Sequence, residues 1–150
     1  MTHKLVGRCH CSQITLEYAT AVAPEELKLR ADQCSFCRRH RARTISDPAG
    51  SLRIVLTNSE AVSYYQFGLK TAEFLICQRC GVYAGAIQRE EGRIFGVVNV
   101  NTFEMPLTQE ATPVDYESES VDERRQRRRS VWTPTTLVEN WGTFSQRGIR

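Results

Sequence analysis

Short runs in which apolar and polar residues alternate recur along the first hundred residues of the chain. In one of them Ile14, Leu16 and Tyr18 are separated by polar residues, which is the period of a half-buried strand. Similar runs predict strands over residues 4–8, 13–18, 27–31, 52–56, 62–67, 73–76, 83–89 and 94–100. Turn residues separate the runs, with Gly92 at the expected left-handed position of a hairpin. We therefore predict a mainly β fold built from small antiparallel sheets.

The pattern changes near residue 106, and a short helix is predicted beyond it. Ser120 and Glu123 have the spacing of a capping box, and acidic residues precede basic ones as the helix dipole favours. We expect residues 1–106 to form one β domain and residues 107–150 to form a tail that carries the helix. Four apolar residues would dock this tail on the same domain or on the partner subunit of a homodimer: Trp132, Leu137, Val138 and Trp141.

Net charge and apolar content limit the environments and partners expected for the 150-residue chain. The formal charge is +3 and no apolar run is long enough to span a bilayer, so we expect a soluble protein without a membrane partner. Residues 124–129 include five arginines, but five acids lie between residues 115 and 123, and no aromatic residue interrupts the run. We interpret the arginines as a solvated helix face and expect no nucleic-acid partner.

All six cysteines occur in three close pairs, which are Cys9 with Cys11, Cys34 with Cys37, and Cys77 with Cys80. Any two pairs can supply the four thiolates of a closed tetrahedral zinc site, and the spacing alone leaves open which two do so. A disulfide framework is the alternative interpretation. No stretch near Met1 resembles a signal peptide, however, so we expect reduced thiols and a cytoplasmic location.

The order of the three pairs, together with their flanking residues, resembles the glutathione-dependent formaldehyde-activating enzyme family, a zinc-binding group that includes centromere protein V-like proteins. The matching motifs are Gly7-x-Cys9-x-Cys11, Cys34-x-x-Cys37-Arg38-Arg39, Cys77-x-x-Cys80-Gly81 and Val98-Asn99-Val100-Asn101-Thr102. The resemblance covers about residues 5–103 and implies a β-tent fold, in which zinc pins the small sheets. It also implies that the first and last pairs hold one structural zinc through Cys9, Cys11, Cys77 and Cys80.

The middle segment departs from the family pattern at one position. The family has three cysteines there, spaced Cys-x-Cys-x-x-Cys around a second, more exposed zinc, whereas this chain reads Asp32-x-Cys34-x-x-Cys37. Because carboxylate oxygen is also a zinc ligand, Asp32, Cys34 and Cys37 can form a second, labile and partly occupied catalytic site.

The family resemblance implies a reaction at this second site. A small thiol such as glutathione would take the open metal position and add to formaldehyde or another small aldehyde. That is the reaction of a carbon–sulfur lyase of the S-(hydroxymethyl)glutathione synthase type. Arg38, Arg39 and His40 would bind the carboxylates of the thiol.

Two other interpretations of the middle pair stay open. Cys34 lies at the start of a predicted helical turn beside basic residues, which lowers a thiol pKa, so Cys34 and Cys37 could form a redox-active dithiol. Alternatively, Asp32 only caps the turn, and the protein is a non-catalytic, zinc-pinned binding module with an inactive second site. Four aromatic residues suit a core as well as a pocket wall: Tyr64, Tyr65, Phe67 and Tyr83.

Overall fold

A computed structural model describes residues 1–141 and confirms the prediction of a mainly β fold. This part of the chain forms the strands β1 (His3–Arg8), β2 (Ile14–Thr20), β3 (Leu29–Asp32), β4 (Thr44–Ile45), β5 (Ser51–Leu56), β6 (Val62–Tyr65), β7 (Glu73–Cys77), β8 (Tyr83–Glu90), β9 (Arg93–Asn99), β10 (Ala111–Val114) and β11 (Thr133–Glu139). The two α-helices are α1 (Ser35–His40) and α2 (Val121–Val131). Over the same residues, no helix is both long enough and apolar enough to cross a membrane.

The strands form two sheet regions that meet at β11 and β9. The first region has the order β1-β2-β5-β11, and the second contains β6-β7-β8-β9. Strands β4, β3 and β10 continue from the other edge of β9. The pairings are antiparallel except for β5 with β11 and β3 with β10, which are parallel. The sheet is therefore mixed, whereas the sequence predicted antiparallel pairing alone. Alternation along a strand predicts which residues are buried and carries no information about the direction of the neighbouring strand.

Strand β11 was not predicted, and it joins the two sheet regions. Its first residues, Thr133 and Pro134, pair with β9, and the residues from Thr135 onward pair with β5. Trp132, just before this strand, is buried, whereas Trp141 is exposed. Residues 107–141 therefore contribute to the sheet as well as a helix, and the division after residue 106 stays a prediction.

The hydrophobic core receives side chains from both sheet regions. Alternate residues of β2 and β5 are fully buried, as their apolar–polar pattern predicts. They pack with side chains from β7, β8 and β9, and the most deeply buried members of this cluster are Ile14, Leu16, Ile54, Leu56, Leu75, Cys77, Ala84, Ile87 and Val98.

Helix α2 begins as predicted, but its arginines are not all solvated. The Ser120 hydroxyl accepts the Glu123 N–H at 3.1 Å and the Glu123 carboxylate accepts the Ser120 N–H at 2.8 Å, which completes the capping box. The expectation of a solvated arginine face is wrong for Arg128, which is 8% exposed. Helical periodicity separates neighbouring arginines onto different faces, and a count of charges along the chain misses this separation.

Loss of the capping box should lower the stability of the protein. We expect Ser120→Ala to decrease the free energy of unfolding by about 1 kcal/mol, because the Glu123 N–H loses its acceptor. Denaturant unfolding followed by circular dichroism measures this change. The exposed neighbour Ser118 provides a matched control, and Ser118→Ala should change the stability by less than about 0.5 kcal/mol. Equal effects of the two substitutions would contradict the assigned role of Ser120.

Candidate metal sites and cavity

Four cysteine sulfur atoms converge where the turn after β1 meets the turn after β7. The Sγ atoms of Cys9, Cys11, Cys77 and Cys80 all lie within 4.8 Å of one another. The Sγ–Sγ distance is 3.9 Å between Cys9 and Cys11 and 3.4 Å between Cys11 and Cys77. A tetrahedral zinc ion with sulfur at about 2.3 Å separates its ligands by about 3.8 Å. The sulfur positions therefore fit the donor set of such an ion.

The backbone around this four-cysteine cluster is arranged to present sulfur atoms. Ser12 and Gly81 adopt left-handed conformations, with φ of 69° and 80°, and these conformations let the chain reverse its direction at the two turns. The Ile14 N–H donates to Cys9 Sγ at 3.2 Å, a contact that stabilises a thiolate. Burial, with the nearby Cys77 charge, nevertheless raises the pKa of Cys9 to about 12. The four cysteines can therefore all be thiolates in this space only if a cation offsets their negative charges.

A second cluster lies at the junction of β3 and α1. The ligand atoms of Asp32, Cys34 and Cys37 lie within 4.8 Å of one another. Asp32 Oδ1 accepts the Cys34 N–H at 2.9 Å, and Cys34 Sγ accepts the Cys37 N–H at 3.3 Å as the N-cap of α1. The carboxylate therefore caps the turn and also faces the two thiols, so the two roles considered for Asp32 are compatible in geometry.

The pKa values of the two thiols in this second cluster are shifted in opposite directions. A hydrogen bond from the Cys37 thiol, followed by hydrogen bonds from backbone N–H groups, lowers the pKa of Cys34 to about 7 against the effect of burial. The same hydrogen bond, together with burial, raises the pKa of Cys37. One thiolate and one thiol are therefore favoured near neutral pH when no cation is bound.

The second cluster forms part of the wall of a cavity of about 520 Å³, a volume within the range of small-molecule sites. Aromatic and aliphatic residues form the apolar wall, and they include Phe67, Phe74, Tyr83, Val97 and Trp132. Five arginines of residues 1–141 also line the cavity: Arg30, Arg38, Arg124, Arg127 and Arg128. The cavity therefore combines metal-ligand atoms, an apolar surface and a concentration of positive charge.

Of the three residues predicted to bind substrate, one lines this cavity in the described part of the chain. Arg38 lines it, with its Nε bound to the Gln33 carbonyl at 3.0 Å. Arg39 is exposed and donates to the Ser35 carbonyl, and the His40 ring packs at a tilt against Phe36 with ring centroids 4.5 Å apart. Neither Arg39 nor His40 is among the lining residues of the cavity in the described part of the chain.

The aromatic candidates separate in the same way. Phe67 and Tyr83 line the cavity. Tyr64 packs against the core and donates a hydrogen bond to Glu139, while Tyr65 is exposed. Only the fold distinguishes these four rings, because all lie in strands or loops with similar local patterns.

Sequence reasoning missed the part of the cavity that comes from β10, α2 and their connection. Tyr116 and the arginines of α2 lie more than 80 residues from Asp32 along the chain. The parallel pairing of β10 with β3 brings them to the same place. A helical spacing of three or four residues was the available signal, because it puts Arg124, Arg127 and Arg128 on one face.

Fold and sites together define a mainly β protein with two cysteine-containing groups that could hold metal ions. The sequence model of the glutathione-dependent formaldehyde-activating enzyme family matches residues 4–118, and the chain belongs to this family, which confirms the resemblance of its cysteine motifs. The chain is also similar to a Rhodobacter sphaeroides protein of known crystal structure. The identity is 29% and the TM-score 0.57, over 76% of this chain and 100% of that chain. Helix α2 and β11 lie beyond the family match.

Replacement of one cysteine tests whether the four-cysteine cluster binds zinc. We expect Cys77→Ser to lose one tightly held zinc and most of the fold, because a closed thiolate site contributes folding free energy directly. Zinc per chain and circular dichroism measure both effects. Cys34→Ser is the matched control, and it should leave that zinc and the fold in place. A folded Cys77→Ser protein with full zinc content would refute the assignment.

Proposed function

We propose that this protein is a zinc-dependent carbon–sulfur lyase of the S-(hydroxymethyl)glutathione synthase type. It joins a small, glutathione-like thiol to formaldehyde or another small aldehyde. The observation that carries the proposal is the position of Asp32, Cys34 and Cys37, whose ligand atoms cluster on the wall of a cavity large enough for such a thiol. Membership of the family supports the same chemistry.

The donor set of the second cluster fits a catalytic zinc ion. Two sulfur atoms and one carboxylate supply three protein ligands, which is the number found in catalytic sites with an open position. Bound zinc lowers the pKa of a coordinated thiol. Asp32 Oδ1 holds the Cys34 N–H, so the second carboxylate oxygen remains for the metal. We propose that Asp32, Cys34 and Cys37 hold a labile ion and that the four-cysteine cluster holds a structural one.

The proposed reaction needs a hydrogen-bond donor near the aldehyde. The substrate sulfur forms a bond to the carbonyl carbon, the C=O π bond breaks, and the thiol proton is transferred to the carbonyl oxygen. Tyr83 lines the cavity, and burial raises the pKa of its phenol. The hydroxyl therefore stays protonated and can donate to the oxygen as negative charge develops there. Phe67, Phe74 and Trp132 give the cavity an apolar wall.

Two alternative functions have one observation each in their favour. The lowered pKa of Cys34 favours a redox-active dithiol formed with Cys37. The hydrogen bond from the Cys34 N–H to Asp32 favours a capping role for the carboxylate, and thus a non-catalytic binding module. Zinc content, adduct formation and reversible thiol oxidation, measured on the same sample, separate all three functions.

Substitutions of Asp32 test whether its carboxylate binds metal. We expect the second site to be partly empty after purification and to fill on addition of zinc, because a site with two sulfurs and one oxygen exchanges metal more readily than one with four sulfurs. Asp32→Asn keeps an oxygen that can accept the Cys34 N–H but removes the charge, and it should lower occupancy. Asp32→Cys should raise occupancy. Zinc titration and thiol–aldehyde adduct formation measure occupancy and turnover together.

These two measurements, together with an assay of reversible thiol oxidation, give the outcomes that would contradict the proposal. If Asp32 only caps the turn, Asp32→Asn should leave zinc binding unchanged. If the second site fills while adduct formation stays at the uncatalysed rate with every thiol, the binding module is the correct function. If Cys34 and Cys37 oxidise reversibly without any dependence on zinc, the redox dithiol is correct.

Removal of the Tyr83 hydroxyl tests the proposed donor. We expect Tyr83→Phe to lower kcat by about tenfold to a hundredfold without changing zinc content, because the ring still packs and only the hydrogen bond is lost. Tyr64→Phe is the matched control, since Tyr64 does not line the cavity in the described residues, and it should leave kcat within about twofold of the wild-type value. An unchanged kcat in Tyr83→Phe would remove Tyr83 from the reaction.

A further inference from the structure

We propose that the cavity contains an oxyanion subsite formed by Arg30, Arg124 and Arg128, and that this subsite binds a carboxylate of the thiol substrate. The proposal rests on the proposed function for the identity of the molecule that carries the carboxylate. Two of the three arginines belong to α2, which lies outside the residues that match the family. The subsite is also distinct from the basic residues at the end of α1.

Arg128 is a buried cation without a counter-ion in residues 1–141. Its Nη1 donates to Thr71 Oγ1 at 2.7 Å and to Gln88 Oε1 at 3.3 Å, and both partners are neutral. Its Nε is buried without a hydrogen-bond partner among the described residues. The guanidinium lies over the Trp132 ring, 4.7 Å from the centroid, and the residue lines the cavity. Burying a charged group without an opposite charge is unfavourable, so an anion from outside the chain would stabilise this arrangement.

Arg124 and Arg127 share a single carboxylate. Glu119 accepts hydrogen bonds from Arg127 Nε at 2.8 Å and from Arg127 Nη2 at 3.0 Å. Arg124 Nε remains 3.7 Å from the same carboxylate and is buried without a hydrogen-bond partner in the described chain. Arg127 therefore takes most of the neutralising effect of Glu119, and Arg124 keeps an unused N–H group.

Arg30 adds a third cation on the β3 side of the cavity. It is half-buried, and its Nη2 donates to the neutral Ser46 hydroxyl at 2.6 Å. Apart from Glu119, the acids that line the cavity are Asp32, which belongs to the second cluster, and the exposed Asp115 and Glu117. The interior therefore has more positive than negative charge available to a ligand.

The electrostatics of Arg128 agree with this crowding. Burial, followed by the charges of Arg127 and Arg124, lowers the pKa of Arg128 to about 10. Burial and like charges both disfavour the protonated guanidinium, and a bound anion opposes both effects. The planar guanidinium of arginine also suits a carboxylate, because its N–H groups can form two parallel hydrogen bonds.

A glutathione-like thiol has a group to match each of two features of the cavity wall, the second cluster and the arginines. Its sulfur would lie at the second cluster, while one of its two carboxylates would lie at the arginines. The exposed Asp115 and Glu117 also line the cavity and are suitable partners for the substrate ammonium. Free phosphate presents similar oxygens to the arginines, so the experiment has to separate a carboxylate from a phosphate.

The test measures binding of S-methylglutathione to the zinc-loaded, full-length protein by calorimetry. The methylated sulfur cannot react, so the affinity is independent of turnover. We expect Arg128→Gln and Arg124→Gln each to weaken binding by about tenfold or more, because a charge-assisted hydrogen bond is lost. Arg128→Lys keeps the charge but loses the planar geometry, and its affinity should lie between those of Arg128→Gln and the wild type.

Arg129→Gln is the matched control on the same helix. Arg129 pairs with Glu90 at 2.7 Å and is not among the cavity-lining residues of the described chain, so its replacement should change the affinity by less than about twofold. Zinc content and thermal unfolding verify that each variant is folded. Should Arg128→Gln fail to fold, Arg124→Gln carries the test, because Arg124 is less buried.

The outcomes separate this proposal from the proposed function. Equal affinity in the wild type, Arg124→Gln and Arg128→Gln would overturn the subsite even if the wild type forms adduct. Arginine-dependent binding in a protein that forms no adduct would support the subsite and refute the lyase. The dimethyl ester of S-methylglutathione should bind as weakly as the parent compound binds Arg128→Gln. If the ester binds normally while inorganic phosphate competes, the subsite serves a phosphate-bearing ligand and the carboxylate assignment is wrong.

Discussion

The confinement of four sulfur atoms within 4.8 Å is the constraint on which the rest of the structure depends. It joins the turn after β1 to the turn after β7, which lie 66 residues apart between Cys11 and Cys77. Strand β8 starts at Tyr83, three residues after Cys80, so the same turn determines where Tyr83 enters the cavity wall. A change that separates the two turns would therefore affect the fold and the candidate active site together.

The second cluster is local by contrast. Asp32, Cys34 and Cys37 lie on six consecutive positions, and two backbone hydrogen bonds to Asp32 and Cys34 orient them before any ion is present. A preorganised set of this kind needs no contribution from distant strands to keep its donors together. We accordingly expect the domain to fold with this site filled or empty, which is the property of an exchangeable metal site and not of a structural one.

Sequence patterns predicted the elements whose information is local. The alternation of β2 and β5, the capping box at Ser120 and the cysteine motifs all depend on residues within a few positions of each other. Strand β11 was not predicted, because the residues Thr133-Pro134-Thr135-Thr136 show no apolar–polar alternation. Its partner β5 also lies some 80 residues earlier in the chain. The part of the cavity wall that comes from β10 and α2 could not be predicted for the same reason, since the pairing of β3 with β10 brings it to the second cluster.

The arginine run shows why a charge count along the chain differs from a charge count in space. The acids between residues 115 and 123 balance the arginines in number, yet Glu119 contacts only Arg124 and Arg127, while Glu90 of β8 holds Arg125 and Arg129. Helical periodicity thus divides the run into a neutralised outer pair and an inner group that faces the cavity. The two cysteine clusters lie within the family match and α2 lies outside it, so the positive charge that α2 adds to this cavity wall comes from a segment that the match does not cover.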